Sequence, residues 1–244
     1  MFLSCLLINT GDNPDRPRPG RLWMRNLYRV HQRLSMAFPS SSRISDDADF
    51  LQPFIPEDFG DRHVHVPRSP DTGFLFRIDP LSGGSAAIIV QSSALPDWDY
   101  AFHNAKHLLS APPQVKVFEP SFEHGRKYRF RLLANPTRKI DTKTGPDGKK
   151  RNGKRVAVPA DKLEEWMYIR SERAGFFIDK DSLSVKPSYV YINNSKDGKG
   201  QQLRAARYEG IISISDPVKF KEAVVSGIGS GKGYGFGLIS VAGI

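Results

Sequence analysis

Tyr28 and His31 stand three residues apart in the segment RNLYRVHQRL, a spacing that makes them neighbours on one face if the segment is helical. An imidazole with its ordinary pKa near ~6.5 donates or accepts a proton at cellular pH. A phenol, with its ordinary pKa near ~10, acts as a base only beside a cation and otherwise orients a hydroxyl. RNA is a substrate that suits such a pair, because its ribose 2′-OH is a built-in nucleophile. Cleavage then needs positioning, a proton acceptor, a proton donor to the departing 5′-oxygen, and charge to stabilise the phosphorane. By spacing alone, a partly buried tyrosine and histidine that only support a core helix are the favoured reading, by about three to one.

The other histidines do not build a metal site. His63 and His65 lie two apart, and His103 and His107 four apart, but no cysteine supports either pair and Asn104 occupies the position of the glutamate in H-E-x-x-H. Nor do Asp and Glu cluster as two-metal phosphodiester chemistry requires. No metal and no cofactor is expected.

Charge points to a polyanionic ligand. The 244 residues carry a net charge of +10, with a pI near 9.7, and the excess is concentrated. Between Arg138 and Arg155 stand Arg138, Lys139, Lys143, Lys149, Lys150, Arg151, Lys154 and Arg155 against only Asp141 and Asp147, a density better explained by phosphate contacts than by a merely solvated loop. In KYRFRLLA, Arg129 and Arg131 alternate with Tyr128, Phe130 and Leu132, which sends the arginines to one sheet face. Lys196, Lys199, Arg204 and Arg207 flank an Asp197-Gly198 turn, the signature of a hairpin whose basic ribbon can track phosphates across a groove.

The residues from Ser226 to Ala242 place Gly227, Gly229, Gly231, Gly233, Gly235 and Gly237 at alternate positions around Lys232, Tyr234 and Phe236. A P-loop would need glycine at Ser226 and a hydroxyl residue at Gly233, and G-x-G-x-x-G finds no register. The expectation is an open backbone surface, with Lys232 placed for phosphate and the two aromatics available for packing or stacking.

Patterning supplies the elements that must carry these groups. Strands are expected at 2–8, 73–79, 85–91 and 115–122, with helices at 23–38 and 98–109. The second half repeats the order with a strand at 127–134, a helix at 161–174, strands near 188–193 and 202–214, a helix at 216–226 and a final strand. Each half reads as strand, helix, strand, strand, helix, strand, so the fold class is α+β with two tandem ferredoxin-like βαββαβ domains, 1–122 and 123–244. An irregular insertion interrupts the first at 39–72. Hydrophobic residues at 39% suffice for two cores. The single cysteine, Cys5, excludes an internal disulfide framework and fits a reducing cytoplasmic setting, and no apolar run approaches a membrane span.

The helix YRVHQRL with MRNL before it, the strand FRLLANPTRK, the hairpin SKDGKG followed by YEG, and the ending GIGSGKGYGFGLISVA together resemble the CasE/Cse3 family of type I-E CRISPR systems, within the RAMP proteins. The resemblance spans most of the chain, departing at the Pro-rich segment 11–20 and the insertion 39–72. It implies a glycine loop lying against RNA and metal-independent cleavage of the CRISPR repeat at the 3′ base of its stem-loop. The products implied are a 5′-OH and a 2′,3′-cyclic phosphate, and the enzyme would stay on the mature CRISPR RNA among the other subunits of Cascade. By motif position Tyr28 and His31 match the family's catalytic tyrosine and histidine, and Lys196 a hairpin lysine that some members place at the cleavage site. A non-catalytic RAMP-fold subunit that only holds RNA remains the alternative, with a general RNA-binding protein more remote.

Overall fold

The computed structural model describes residues 1–9, 11, 19–38, 73–82, 85–140, 155–192 and 200–244. The segment 39–72 and Lys149, Lys150, Arg151, Lys154, Lys196 and Lys199 lie outside the described residues. The chain divides into two compact units: Met1–Glu119 with Tyr191–Gly200 and Gly233–Gly235, and Pro120–Val190 with Gln201–Lys232 and Phe236–Ile244.

In the first unit, β1 (Phe2–Ile8), β2 (Phe74–Pro80), β3 (Ala86–Ser92) and β4 (Gln114–Val117) form an antiparallel sheet ordered β2–β3–β1–β4. Alternation along β1 buries Ser4, Leu6 and Ile8 on one face. Leu6 and Ile8 join Phe76, Ile88 and Val90 with Val30 and Leu34 of a helix in one core.

That helix is shorter than expected. The 23–38 segment is two helices, α1 (Pro19–Met24) and α2 (Leu27–Ser35), broken where the Asn26 side chain accepts the Arg29 N–H at 3.3 Å and caps α2. Asparagine competes with the helix in this way because its carboxamide satisfies an otherwise unpaired N–H. The 98–109 helix likewise contracts to α3 (Trp98–Ala101) and a 3₁₀ turn at Lys106–Leu108. Its end is held from α2: Arg33 Nη1 donates to the Ala101 carbonyl and to Asn104 Oδ1, both at 2.9 Å, meeting a carbonyl that the helix end leaves unpaired.

The second unit contains β5 (Lys127–Ala134), β6 (Thr137–Lys139), β7 (Arg155–Ala157), α4 (Leu163–Arg173), β8 (Phe176–Ile178), β9 (Ser184–Ile192), β10 (Gln201–Ile214), α5 (Pro217–Ser226) and β11 (Ile239–Gly243). Its main sheet is ordered β11–β5–β10–β8, while β9 pairs with β10. The place expected for the strand near 188–193 therefore belongs to β8, where Phe176 and Ile178 are buried and Phe177 is exposed. Three residues are too few for a period to announce itself. The basic segment that reads as a plain loop has a paired base, β6 against β7.

Candidate active site

Tyr28 and His31 both lie on α2, with Tyr28 in its first turn and 37% exposed. The His31 imidazole is held between elements of the first unit. Its ring stacks on Phe74 at 5.2 Å and 24°, and on Phe76 at 6.3 Å and 18°. Phe74 continues the stack to Phe38 at 5.3 Å. Ser35 Oγ donates to the His31 carbonyl at 2.8 Å, tightening the end of the helix. Offset aromatic stacking limits ring rotation, so the imidazole is oriented before any ligand arrives. Phe74 and Phe76 are the residues that sequence reasoning missed. The available signal was the alternation in GFLFRID, which puts both on the core face of β2.

Gly233–Gly235 belongs to the same unit. Gly235 has φ +79°, and a Cβ there would stand 3.2 Å from Phe76 Cε2. Gly235→Ala is therefore expected to cost about 1–2 kcal/mol through its left-handed backbone and to disturb the ring that carries His31. Thermal unfolding checks it; a variant as stable as the parent would refute the contact's importance.

The basic surfaces are on the second unit. Lys127, Arg129 and Arg131 are exposed along β5 while Tyr128, Phe130 and Leu132 are buried, the alternation expected from sequence. Arg131 pairs with Glu209 at 2.6 Å. Arg204 donates to the Val158 carbonyl at 2.5 Å and its guanidinium lies over the Tyr189 ring at 5.9 Å, so it braces the β9–β10 pair. Arg138, Lys139 and Arg155 are exposed on the β6–β7 base, where Lys139 stands directly opposite Arg155.

The glycine run is built against protein. Gly227, Gly229, Gly231, Gly235 and Gly237 have positive φ, whereas Gly233 sits in a 3₁₀ turn, Lys232–Tyr234. A Cβ on Gly231 would meet Phe236 at 2.9 Å, and one on Gly229 would meet Trp166 at 3.4 Å. Phe236 is fully buried, which leaves it packing and not stacking on a ligand. The Lys232 ammonium donates to the Ser226 carbonyl at the end of α5, and burial pulls it below the ordinary lysine range. It serves the helix end as well as any phosphate.

Trp166 links these parts. Its indole N–H donates to the Thr137 carbonyl at 3.3 Å, its ring stacks on Tyr208 at 5.9 Å, and Gly229 lies along its edge. Ser230 Oγ, within 3.0 Å of Thr137 Oγ1 and of Asn135 Oδ1, ties the loop to the hairpin base. Among the described residues there is no group of three or more His, Cys, Asp or Glu arranged to hold a metal ion.

Residues 1–243 match the model of a family described as CRISPR associated protein. The chain is 31% identical over 180 residues to CRISPR-associated endoribonuclease Cse3 of Thermus thermophilus, covering 69% of this chain and 79% of that protein. It is 28% identical over 225 residues to the CRISPR system Cascade subunit CasE of Escherichia coli, covering 91% and 94% respectively. Among solved structures, CRISPR endoribonuclease Cse3 bound to a 19-nucleotide RNA is similar with a TM-score of 0.69 and 26% identity, over 99% of this chain and all of that one. The mixed α/β architecture with antiparallel sheets is shared with that structure.

Proposed function

The chain belongs to the CasE/Cse3 family of CRISPR-associated proteins, and on that premise we propose how its site works. The protein is an endoribonuclease that processes precursor CRISPR RNA and serves with the mature guide in Cascade. It recognises the stem-loop of the CRISPR repeat and cuts at its 3′ base. The 2′-OH attacks the adjacent phosphorus, the bond to the 5′-oxygen breaks, and the products carry a 2′,3′-cyclic phosphate and a 5′-OH.

The observation that carries this reading is the His31 ring, clamped over Phe74 and Phe76 one helical turn from Tyr28. As imidazolium, His31 donates its proton to the departing 5′-oxygen, which would otherwise leave as a high-energy alkoxide. Tyr28 orients the 2′-OH or, with a cation beside it, accepts its proton. Lys196 supplies that cation or neutralises the phosphorane oxygens. Arg129, Arg131, Arg138, Lys139, Lys149, Lys150, Arg151, Lys154, Arg155, Lys199, Arg204 and Lys232 hold phosphates. The glycine run shapes the backbone beside them.

Each half of the chain, 1–122 and 123–244, is a ferredoxin-like domain. Counting only the four strands β1–β4 in the first sheet and β5, β8, β10 and β11 in the second, each runs fourth, first, third, second, with helices in the connections, which supports that assignment. The single cysteine, Cys5, is free, and no helix of the described residues is long and apolar enough to cross a membrane. We assign its action to the cytoplasm.

The test is incubation of a cognate repeat RNA with excess EDTA, followed by end-group analysis. Undiminished cutting that leaves a 5′-OH and a cyclic phosphate is expected. Loss of cutting on chelation, restored by added divalent ion, would overturn the metal-free route.

A further inference from the structure

Arg155 begins β7, directly across the ladder from Lys139, so the two cations share one face of the hairpin base. That base is fixed to α4 by the Trp166 indole on the Thr137 carbonyl. One helical turn beyond Trp166, the Arg170 guanidinium lies over the same ring at 5.4 Å. Arg173 follows three residues later in the last turn of α4 and is exposed, as is Arg155. Among the described residues no carboxylate forms an ion pair with Arg155, Arg170 or Arg173; Glu165, on the same helix, pairs instead with Lys162 at 3.1 Å.

Like charges gathered without carboxylates oppose folding. Compensation of the helix C-terminus accounts for basic residues in the last turn of α4. It does not account for cations contributed by the separate β6–β7 ladder. Burial, then Arg173 and Arg155, hold the Arg170 guanidinium below its ordinary range, in keeping with crowded positive charge. A guanidinium presents planar paired donors that match phosphate oxygens, and its weak hydration suits it to such contacts.

We infer that Arg155, Arg170 and Arg173 form a phosphate-binding cluster that grips the sugar–phosphate backbone of the bound RNA beside the β6–β7 base. The inference rests on the RNA-processing reading above and extends it to α4, whose arginines no sequence motif singles out. Trp166 and the stacked Arg170 are the rigid part of the cluster, and Arg155 and Arg173 are its exposed arms. The contact is to the backbone, so it adds affinity without reading base sequence.

The test measures binding of a labelled repeat hairpin, with deoxyribose at the scissile nucleotide, across a salt series. The proteins compared are the full-length chain, Arg173→Gln, the double variant Arg170→Gln with Arg173→Gln, and Lys221→Gln on α5 as a charge control. Each phosphate contact removed is expected to lower the magnitude of the log Kd against log salt slope by about 0.7–0.9. The double variant should lose more than Arg173→Gln, and Lys221→Gln should keep the parent slope. Because Arg173 is exposed, its single variant reports binding without disturbing Trp166. Parent slopes in both arginine variants would overturn the cluster while leaving RNA binding intact. Failure of the unaltered chain to bind the hairpin would overturn both readings.

Discussion

Replacing His31 by alanine should slow single-turnover cutting of repeat RNA by about 10²–10⁴-fold, the range lost with a positioned general acid, while leaving affinity for the hairpin within about twofold of the parent. The separation follows from where the groups stand. In the proposed mechanism His31 acts on one proton at one oxygen, whereas affinity is assigned to the basic residues, whose charge the substitution does not alter. Removing the 2′-OH of the attacking ribose should abolish cutting altogether and also spare binding, because it deletes the nucleophile without touching a phosphate. Quenched single-turnover assays beside filter binding separate the two effects. An undiminished rate in His31→Ala would move the acid elsewhere. Cutting of the deoxy-substituted RNA at the parent site would exclude 2′-OH attack. Stable binding with no turnover by the unaltered chain on several repeat RNAs would favour a subunit that only holds RNA.

Trp166→Ala is expected to remove about 3–5 kcal/mol from the second unit, as large aromatic truncations in cores do. Trp166 is 7% exposed, stacks on the fully buried Tyr208 and lies against Gly229. Truncation leaves a void between α4, β10 and the glycine run. It also frees the hairpin base, because the indole N–H is the donor to the Thr137 carbonyl. Trp166→Phe keeps most of the ring and loses that hydrogen bond, so its cost should be nearer 1 kcal/mol for the bond, plus whatever packing the smaller ring forfeits. Urea unfolding followed by circular dichroism checks both. The alanine variant should also bind RNA more weakly, since Lys139 and Arg155 sit on the base it releases. A loss below about 1 kcal/mol in Trp166→Ala would mean that the loop and hairpin are held by other contacts.

Much of the framework was legible because it is local. The alternation that buries Tyr128, Phe130 and Leu132 and exposes Arg129 and Arg131 is a period of two written along β5. Val30 and Leu34 repeat at four residues and both are fully buried on α2. The errors fell where a single side chain overrode a period. Asn26 broke one expected helix into two, and Asp97, accepting the Tyr100 N–H at 2.8 Å, with Arg33 on the Ala101 carbonyl, bounded another. The three-residue β8 gave no periodic signal, and a longer strand nearby was assigned its place.

By itself, the sequence determined the places of most strands and helices, the basic character of several segments, and the placing of Tyr28 and His31 on one helix, because periodicity, charge and i,i+3 spacing are properties of neighbouring residues. Tertiary structure alone decided that His31 is clamped by Phe74 and Phe76 and that Trp166 joins the hairpin base to the glycine run. Those relations join residues far apart in the chain, and no local pattern encodes them. They exist only once burial of the two cores has brought helix against strand and removed the alternative partners.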